Sequence, residues 1–229
     1  MPTNQIDTEF DVSCVDSVGN ALKKLGGISE FDIDLEKQTV KVTGSVAPSE
    51  IVKSIQDTGK DAIIRGAGTP DSAAVCILES FDEKDKQSPV KGLARIVSVS
   101  KDSIVVDLTI NGVPKGEYYP SFRESGNLFK GALSTGKSIH DLKPLFASEA
   151  SDKGSLFSSQ EFLKAPLSIG SIIGRSIVVS PKENEVTNDS LVGVIARSAG
   201  VWQNDKYVCS CTGQTIWQER AVSISKGIN

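Results

Sequence analysis

Two hydrophobic periods alternate along residues 1–68. Residues 6–12 alternate apolar and polar side chains as a half-buried strand does, and apolar residues then recur at helical spacing from Val15 until Gly26 and Gly27 end the pattern. Strand-like runs at 31–35 and 40–42 predict a hairpin, Pro48 begins a second helical stretch, and residues 62–64 supply a last strand. The order β-α-β-β-α-β predicts a ferredoxin-like α+β domain over residues 1–68.

After residue 72 the pattern changes to short β-branched runs. The preceding stretch RGAGTPDS, residues 65–72, has the glycines and proline of a linker. The runs that follow are separated by Gly, Pro, Ser and Asn, which predicts an all-β Greek-key sandwich or barrel over residues 73–206. The polar stretch 118–163 is too long for an ordinary turn, so we expect a functional or partner-binding loop region there. Residues 207–229 form a tail too short for a core of its own.

The composition argues against several classes of partner. The 229 residues carry a formal charge of −4 with acids and bases interspersed, so there is no basic stripe for nucleic acid or an anionic membrane surface. No run approaches the ~20 apolar residues of a membrane span, and the N-terminus lacks the features of a secretory signal. We therefore expect a cytoplasmic protein. Its four cysteines are then metal ligands, redox groups or buried thiols rather than a disulfide framework.

Cys209 and Cys211, one residue apart near the C-terminus, are the strongest candidates for chemistry. Two neighbouring thiolates select a soft cation such as copper(I) or zinc. On an extended segment their α-carbons would lie about 6.6 Å apart, near the upper edge of the disulfide range, so a bond between them would be strained and would exchange readily. Trp217 follows in the tail and either anchors it on a partner or packs internally. Cys76 lies in an apolar run and reads as a buried thiol.

Four segments together carry a family resemblance. These are GLARIV (92–97), NGVP (111–114), IIGRSIVVS (172–180) and GVIARSAGVWQNDKYVCSCTGQTIWQER (193–220). They closely resemble the copper chaperones for superoxide dismutase, of the fungal type, and the likeness extends over nearly the whole chain. The resemblance implies a ferredoxin-like domain, a superoxide-dismutase-like barrel and a Cys-x-Cys tail. It also implies docking on copper, zinc superoxide dismutase as a heterodimer, delivery of copper(I) and formation of the partner's intrasubunit disulfide.

By the same resemblance, the barrel lacks the metal sites of the enzyme. Ser121, Arg123 and Ser180 stand where three copper histidines would lie, and the single histidine, His140, is expected to be an ordinary loop residue. Ala132 and Val192 occupy the approximate places of the two disulfide cysteines. Because copper and zinc in the enzyme need several nitrogen ligands, we expect no dismutase activity, no bound zinc and no enzymatic turnover.

A dismutase-like barrel without metal can still reproduce the enzyme's subunit interface. Superoxide dismutase is a two-fold dimer, so a lookalike with the same patch can replace one subunit. The resemblance maps this docking surface onto a short set of residues, to which we add the tail tryptophan: Gly126, Ile173, Gly174, Arg175, Ile195, Ala196, Arg197 and Trp217. The alternative is that these glycines and apolar residues only serve a turn and the core.

The first domain departs from its family at the metal-binding loop. Small copper-carrying domains of this fold have an M-x-C-x-x-C loop, whereas residues 12–17 read VSCVDS and leave Cys14 as the one thiol. A serine hydroxyl is a poor copper(I) ligand, so chelation by this loop should be largely lost. Cys14 is either a residual copper or redox thiol, activated near a helix N-terminus, or a plain loop thiol. We expect this domain to serve docking, solubility or orientation.

Two other classes of function compete with copper delivery. A metal-independent docking holdase or scaffold would need no tail thiols, and a genuine superoxide dismutase is opposed by the histidine count. The resemblance also allows a fraction of the protein in the mitochondrial intermembrane space and a homodimer of the free chain.

Overall fold

The computed structural model describes residues 6–12, 15–34, 36–150, 156–201, 208 and 213–225. The described residues divide into two compact units. The first comprises those up to Ala73 together with those of Ser198–Val222, and the second comprises those of Ala74–Arg197 and of the remaining C-terminal end. The sequence assigns residues 198–206 to the second domain, whereas 198–201 group with the first unit.

The first unit contains the predicted β-α-β-β-α-β order. Its elements are β1 (Ile6–Val12), α1 (Val15–Lys24), β2 (Ile28–Asp34), β3 (Thr39–Gly44), α2 (Pro48–Gln56) and β4 (Ala62–Ala67). The strands form one antiparallel sheet in the order β2-β3-β1-β4, which leaves β4 at an edge. The helices bury Val18, Leu22, Ile51 and Ile55 against Phe10 and Val40 of the sheet. The ferredoxin-like prediction is confirmed.

The second unit is built almost entirely of strands. They are β5 (Ala73–Glu79), β6 (Val90–Ser100), β7 (Ser103–Val113), β8 (Gly116–Arg123), β9 (Phe129–Ala132), β10 (Ser138–Asp141), β11 (Leu145–Ala147), β12 (Glu149–Ala150), β13 (Phe157–Ala165), β14 (Ser176–Ser180), β15 (Leu191–Val194) and β16 (Ala196–Arg197). A single helical turn, α3 (Ile169–Ile172), precedes β14, and a 3₁₀ turn, Glu83–Asp85, precedes β6.

These strands form a nearly closed, barrel-like antiparallel sheet. Its order is β10-β8-β14-β15-β5-β6-β7-β13-β12, with β11 paired to β8 and β16 paired to β5. Alternate residues of each strand point inward, and Leu78, Ile96, Leu108, Phe122 and Ile177 meet in one core. The all-β prediction for this domain is confirmed.

The expectation of a long loop region over 118–163 was wrong. Residues 116–123 form β8 and residues 157–165 form β13, and four short strands lie between them. Two of these short strands, β10 and β11, pair with β8, for example Phe146 of β11 opposite Glu117 of β8. Non-local pairing of this kind leaves little local signal in the sequence.

A last helix, α4 (Ile216–Ser225), follows the barrel. Thr215 and Gln218 form a reciprocal cap at its start, because the Thr215 N–H donates to Gln218 Oε1 at 2.8 Å and the Gln218 N–H donates to Thr215 Oγ1 at 3.2 Å. An isolated antiparallel bridge joins Val208 to Thr215 just before the helix. The tail therefore contains a capped helix that the sequence pattern did not predict.

Candidate functional site

The three positions that would carry copper histidines lie together in one cavity. Ser121 and Arg123 on β8 and Ser180 on the neighbouring β14 line a space of about 400 Å³. Burial lowers the pKa of Arg123, although the carboxylates of Asp141 and Glu124 oppose that shift. Two hydroxyls and a guanidinium include no imidazole or thiolate, so these three positions supply none of the nitrogen or sulfur ligands that copper prefers.

His140 does not complete a metal site in the barrel. It lies on β10 opposite Phe122, partly exposed, and is not among the residues lining the cavity. Throughout the described ranges, no three His, Cys, Asp or Glu side chains cluster closely enough to hold a metal ion. In the described part of the barrel, His140 is therefore not a member of any such ligand cluster.

The candidate thiols have contrasting positions. Cys14, Cys209 and Cys211 lie outside the described residues. Cys76 is on β5 with no exposed surface, and burial raises its pKa to about 12, a shift that a hydrogen bond from the backbone of Ile177 only partly opposes. A protonated, inaccessible thiol is neither a nucleophile nor a copper ligand at neutral pH. The prediction that Cys76 is a buried packing residue is confirmed.

Ala132 and Val192, the two positions for which the resemblance implies lost disulfide cysteines, belong to one small apolar cluster. Ala132 of β9, Val192 of β15 and Val178 of β14 are buried there, with Leu128 and Val186 against them. This cluster lies on the outer face of the sheet, since Ile177 and Val179 point into the main core. Hydrophobic contact thus holds β9 against β14 and β15.

The predicted docking residues of the barrel are close together. A Cβ on Gly126 would collide with the carbonyl oxygen of Gly174, so two backbones meet there without side chains. The Gly174 N–H donates to the Ile195 carbonyl at 2.9 Å, and the Ile195 N–H donates to the Arg175 carbonyl at 2.8 Å. Arg175 donates from Nη1 to the carbonyl oxygen of Glu124 at 2.6 Å, which fixes the segment beside Gly126.

Not every predicted docking residue presents its side chain. Ile195 is 1% exposed and belongs to the main core, and Ile173 is half-buried against that core. Ala196 and Arg197 on β16 are exposed. Trp217 is 40% exposed on α4, in the segment that groups with the first unit.

The structure adds exposed apolar residues that the sequence analysis did not select. Val194 of β15 and Ile77 of β5 lie opposite each other, because Val192 pairs with Glu79 and Ala196 pairs with Val75. The side chain of Phe81 lies against Gly131, which stands between the exposed residues Phe129 and Leu133 in the chain. We call these five residues the outer patch: Ile77, Phe81, Phe129, Leu133 and Val194. Exposed apolar surface of this kind is typical of protein interaction sites.

The comparisons with known proteins agree with this architecture. A family model described as the heavy-metal-associated domain matches residues 10–61. The superoxide dismutase 1 copper chaperone of Debaryomyces hansenii is 58% identical over 232 residues, covering 94% of this chain and 93% of its own. That of Saccharomyces cerevisiae is 45% identical, with 94% and 92% covered. The copper chaperone for superoxide dismutase of Rattus norvegicus is 30% identical, with 93% and 86% covered.

A heavy-metal-associated domain followed by an all-β barrel, in a chain so similar to known copper chaperones, places the protein in the class of metallochaperones. The identity over almost the full length of both chains specifies which one. The chain belongs to the family of copper chaperones for superoxide dismutase. No helix in the described ranges has the length and apolarity to cross a membrane.

Proposed function

We propose that this protein docks on copper, zinc superoxide dismutase through its barrel and delivers copper to it. The observation that carries the proposal is the pairing of two features on one barrel. The cavity that would hold copper in an enzyme is lined by Ser121, Arg123 and Ser180, while the outer patch and the Gly126–Gly174 contact present an apolar surface beside it in the sheet. The barrel thus keeps a surface for recognising dismutase but has no histidine at the three positions that would ligate copper.

The cargo is copper(I), held as a dithiolate by Cys209 and Cys211. The other thiols are poor candidates, because Cys76 is buried and protonated and Cys14 has no second thiol in its loop. Zinc is not part of the cargo. When Cys209 and Cys211 are joined in a disulfide, they accept two electrons from the partner's cysteine pair, which becomes the disulfide as the tail regains two thiols. An external oxidant must then restore the tail.

Copper(I) binding by the intact chain tests the site directly. The variant C209S/C211S should lose tight copper(I) binding and the ability to activate metal-free dismutase, whereas C76S and C14S should keep most of both. A copper(I) stoichiometry unchanged in C209S/C211S would overturn the assignment. A loss in C14S as large as in the tail variant would make Cys14 a third ligand.

A holdase that stabilises immature dismutase without metal is the second candidate, and the outer patch favours it equally. Activation by C209S/C211S at the wild-type level would support it.

We also propose that the protein acts in the cytoplasm, with a fraction in the mitochondrial intermembrane space, and that the free chain forms a homodimer through the same patch. Sedimentation velocity of the free chain should show the homodimer, and sedimentation of its mixture with dismutase should show a heterodimer in its place.

A further inference from the structure

The segment leading into the tail runs along the exposed edge of the first sheet. The Ala67 N–H at the end of β4 donates to the Ala199 carbonyl at 3.2 Å, and the Val201 N–H donates to the Gly68 carbonyl at 2.9 Å. Because β4 is an edge strand, these bonds satisfy backbone groups that would otherwise face solvent. Residues 199–201 thus extend the edge as an added strand would.

This approach is close enough to require glycine on both sides. A Cβ on Gly66 would overlap the carbonyl of Gly200, and a Cβ on Gly200 would lie 2.7 Å from the carbonyl oxygen of Thr69. Real Cβ atoms do not come this near to backbone oxygens, so a side chain at either position would push the segment away. The first anchor of the tail is therefore a backbone contact specified by Gly66 and Gly200.

A second anchor lies at the other end of β4. Nη2 of Arg220 on α4 lies 3.5 Å from Oδ1 of Asp61, the residue before β4 begins. The Arg220 side chain is 10% exposed, and its Nε and Nη2 atoms are buried without a hydrogen-bond partner among the described residues. A buried guanidinium with so few partners depends on the opposing charge of Asp61.

Asp61 is itself held in place for this role. Its Oδ1 accepts hydrogen bonds from Gln56 Nε2 at 3.0 Å and from the Ala62 N–H at 2.9 Å. Burial alone would raise the pKa of Asp61, but these hydrogen bonds and the charge of Arg220 outweigh it and lower the pKa. The carboxylate is ionised at neutral pH and fixed in orientation.

We propose that the first domain is the holder of the Cys-x-Cys tail, with the β4 edge fixing the chain before the dithiol and the Asp61–Arg220 pair fixing the helix after it. The proposal rests on the proposed role of Cys209 and Cys211. Both cysteines lie between the two anchors in the sequence, and fixing both ends of a segment raises the effective concentration of its reactive groups at one place. The first domain, whose metal-binding loop has lost its second cysteine, thereby keeps a function in positioning the tail.

Amide hydrogen exchange on the full chain tests the second anchor. Asp61→Asn keeps an oxygen acceptor for Gln56 and Ala62 while removing the charge, and Arg220→Gln removes the cation. Each should speed exchange in residues 216–225 by about fivefold or more, since a partly exposed pair contributes modestly to local opening. Arg220→Lys should retain most of the protection. Asp57→Asn, an exposed residue of the same domain, is the matched control and should change nothing.

The fold and the function are followed in the same samples. Exchange in β1 and β3 should stay slow, and a variant that speeds these strands as much as α4 would show that the pair supports the domain rather than the tail, which overturns the proposal. Unchanged exchange in residues 216–225 would overturn it as well. So would activation of metal-free dismutase at the wild-type rate despite a loosened helix, because we expect about a threefold or larger loss there.

Copper(I) stoichiometry distinguishes the role of Cys209 and Cys211 in binding copper from the role of the first domain in holding the tail. Asp61→Asn and Arg220→Gln should bind as much copper(I) as the wild type, since no thiol is changed. If C209S/C211S also retains its copper(I), the proposed function fails, and the exchange rates of α4 still decide whether the tail is held by the first domain.

Discussion

Replacing Phe129 by serine should weaken docking on superoxide dismutase far more than it weakens the fold. Phe129 is 87% exposed on β9 and is the most exposed residue of the outer patch. Burial of a whole phenylalanine side chain contributes about 1.5–3 kcal/mol, so covering this one with a partner surface contributes about 2 kcal/mol. The dissociation constant should rise about 30-fold. The free energy of unfolding should change by less than about 0.5 kcal/mol, because the ring already lies in solvent.

The assay is titration of metal-free, reduced dismutase with the full-length chaperone, alongside chemical denaturation of the chaperone alone. Phe146→Ser is the matched control, because Phe146 is also an exposed phenylalanine of the barrel, 53% accessible, but lies on β11 outside the outer patch. Its affinity should remain within about twofold of the wild type. Equal losses in the two variants, or no loss in Phe129→Ser, would refute the placement of the docking surface.

Three further predictions concern the barrel. Cys76 should react with thiol reagents only after unfolding, and its contribution to stability should be complete below its ordinary pKa of 9.0 and fall as the pH rises towards about 12; labelling in the native state would contradict this. Gly193→Ala should cost about 2 kcal/mol or more in denaturant unfolding, since its Cβ would collide with the Ile77 carbonyl. Asp85→Asn leaves the buried ammonium of Lys91, 3.0 Å away, without its counter-charge and should cost about 2 kcal/mol at neutral pH. Burial would raise the pKa of Asp85, but hydrogen bonds from Ser80 and Lys91 outweigh it and lower the pKa. The difference in unfolding free energy between the wild type and Asp85→Asn should therefore shrink as the pH falls below 3.8. A difference that does not change with pH would contradict this.

The sequence predicted the regular elements best where each has a long, self-contained pattern. Helix α2 begins at Pro48 and buries Ile51 and Ile55, and each of these features is local. The strands between β8 and β13 could not be predicted in this way. They have only two to four residues each, and several carry exposed apolar side chains such as Phe129 and Phe146. Helix α4 buries no residue, so its apolar positions gave no clear helical face.

The sequence was enough to predict which copper ligands are missing from the barrel. It was not enough to predict which exposed residues form a surface. Ser121, Arg123 and Ser180 could be located by resemblance, and the pairing of β8 with β14 brings them into one cavity. The outer patch joins residues on or next to β5, β9 and β15, which are far apart in the chain, and strand pairing brings β5 beside β15. The Asp61–Arg220 pair joins residues far apart in the chain, and neither has a local pattern that signals the other.

The apolar contact between Ala132 of β9 and Val192 of β15 has a consequence for the proposed formation of a disulfide in dismutase. Neither alanine nor valine has a sulfur atom, so positions 132 and 192 of the barrel cannot form a disulfide with each other. Under the proposed function, a barrel that is chemically inert at these two positions would leave the oxidising equivalent of the tail to the dismutase in every round.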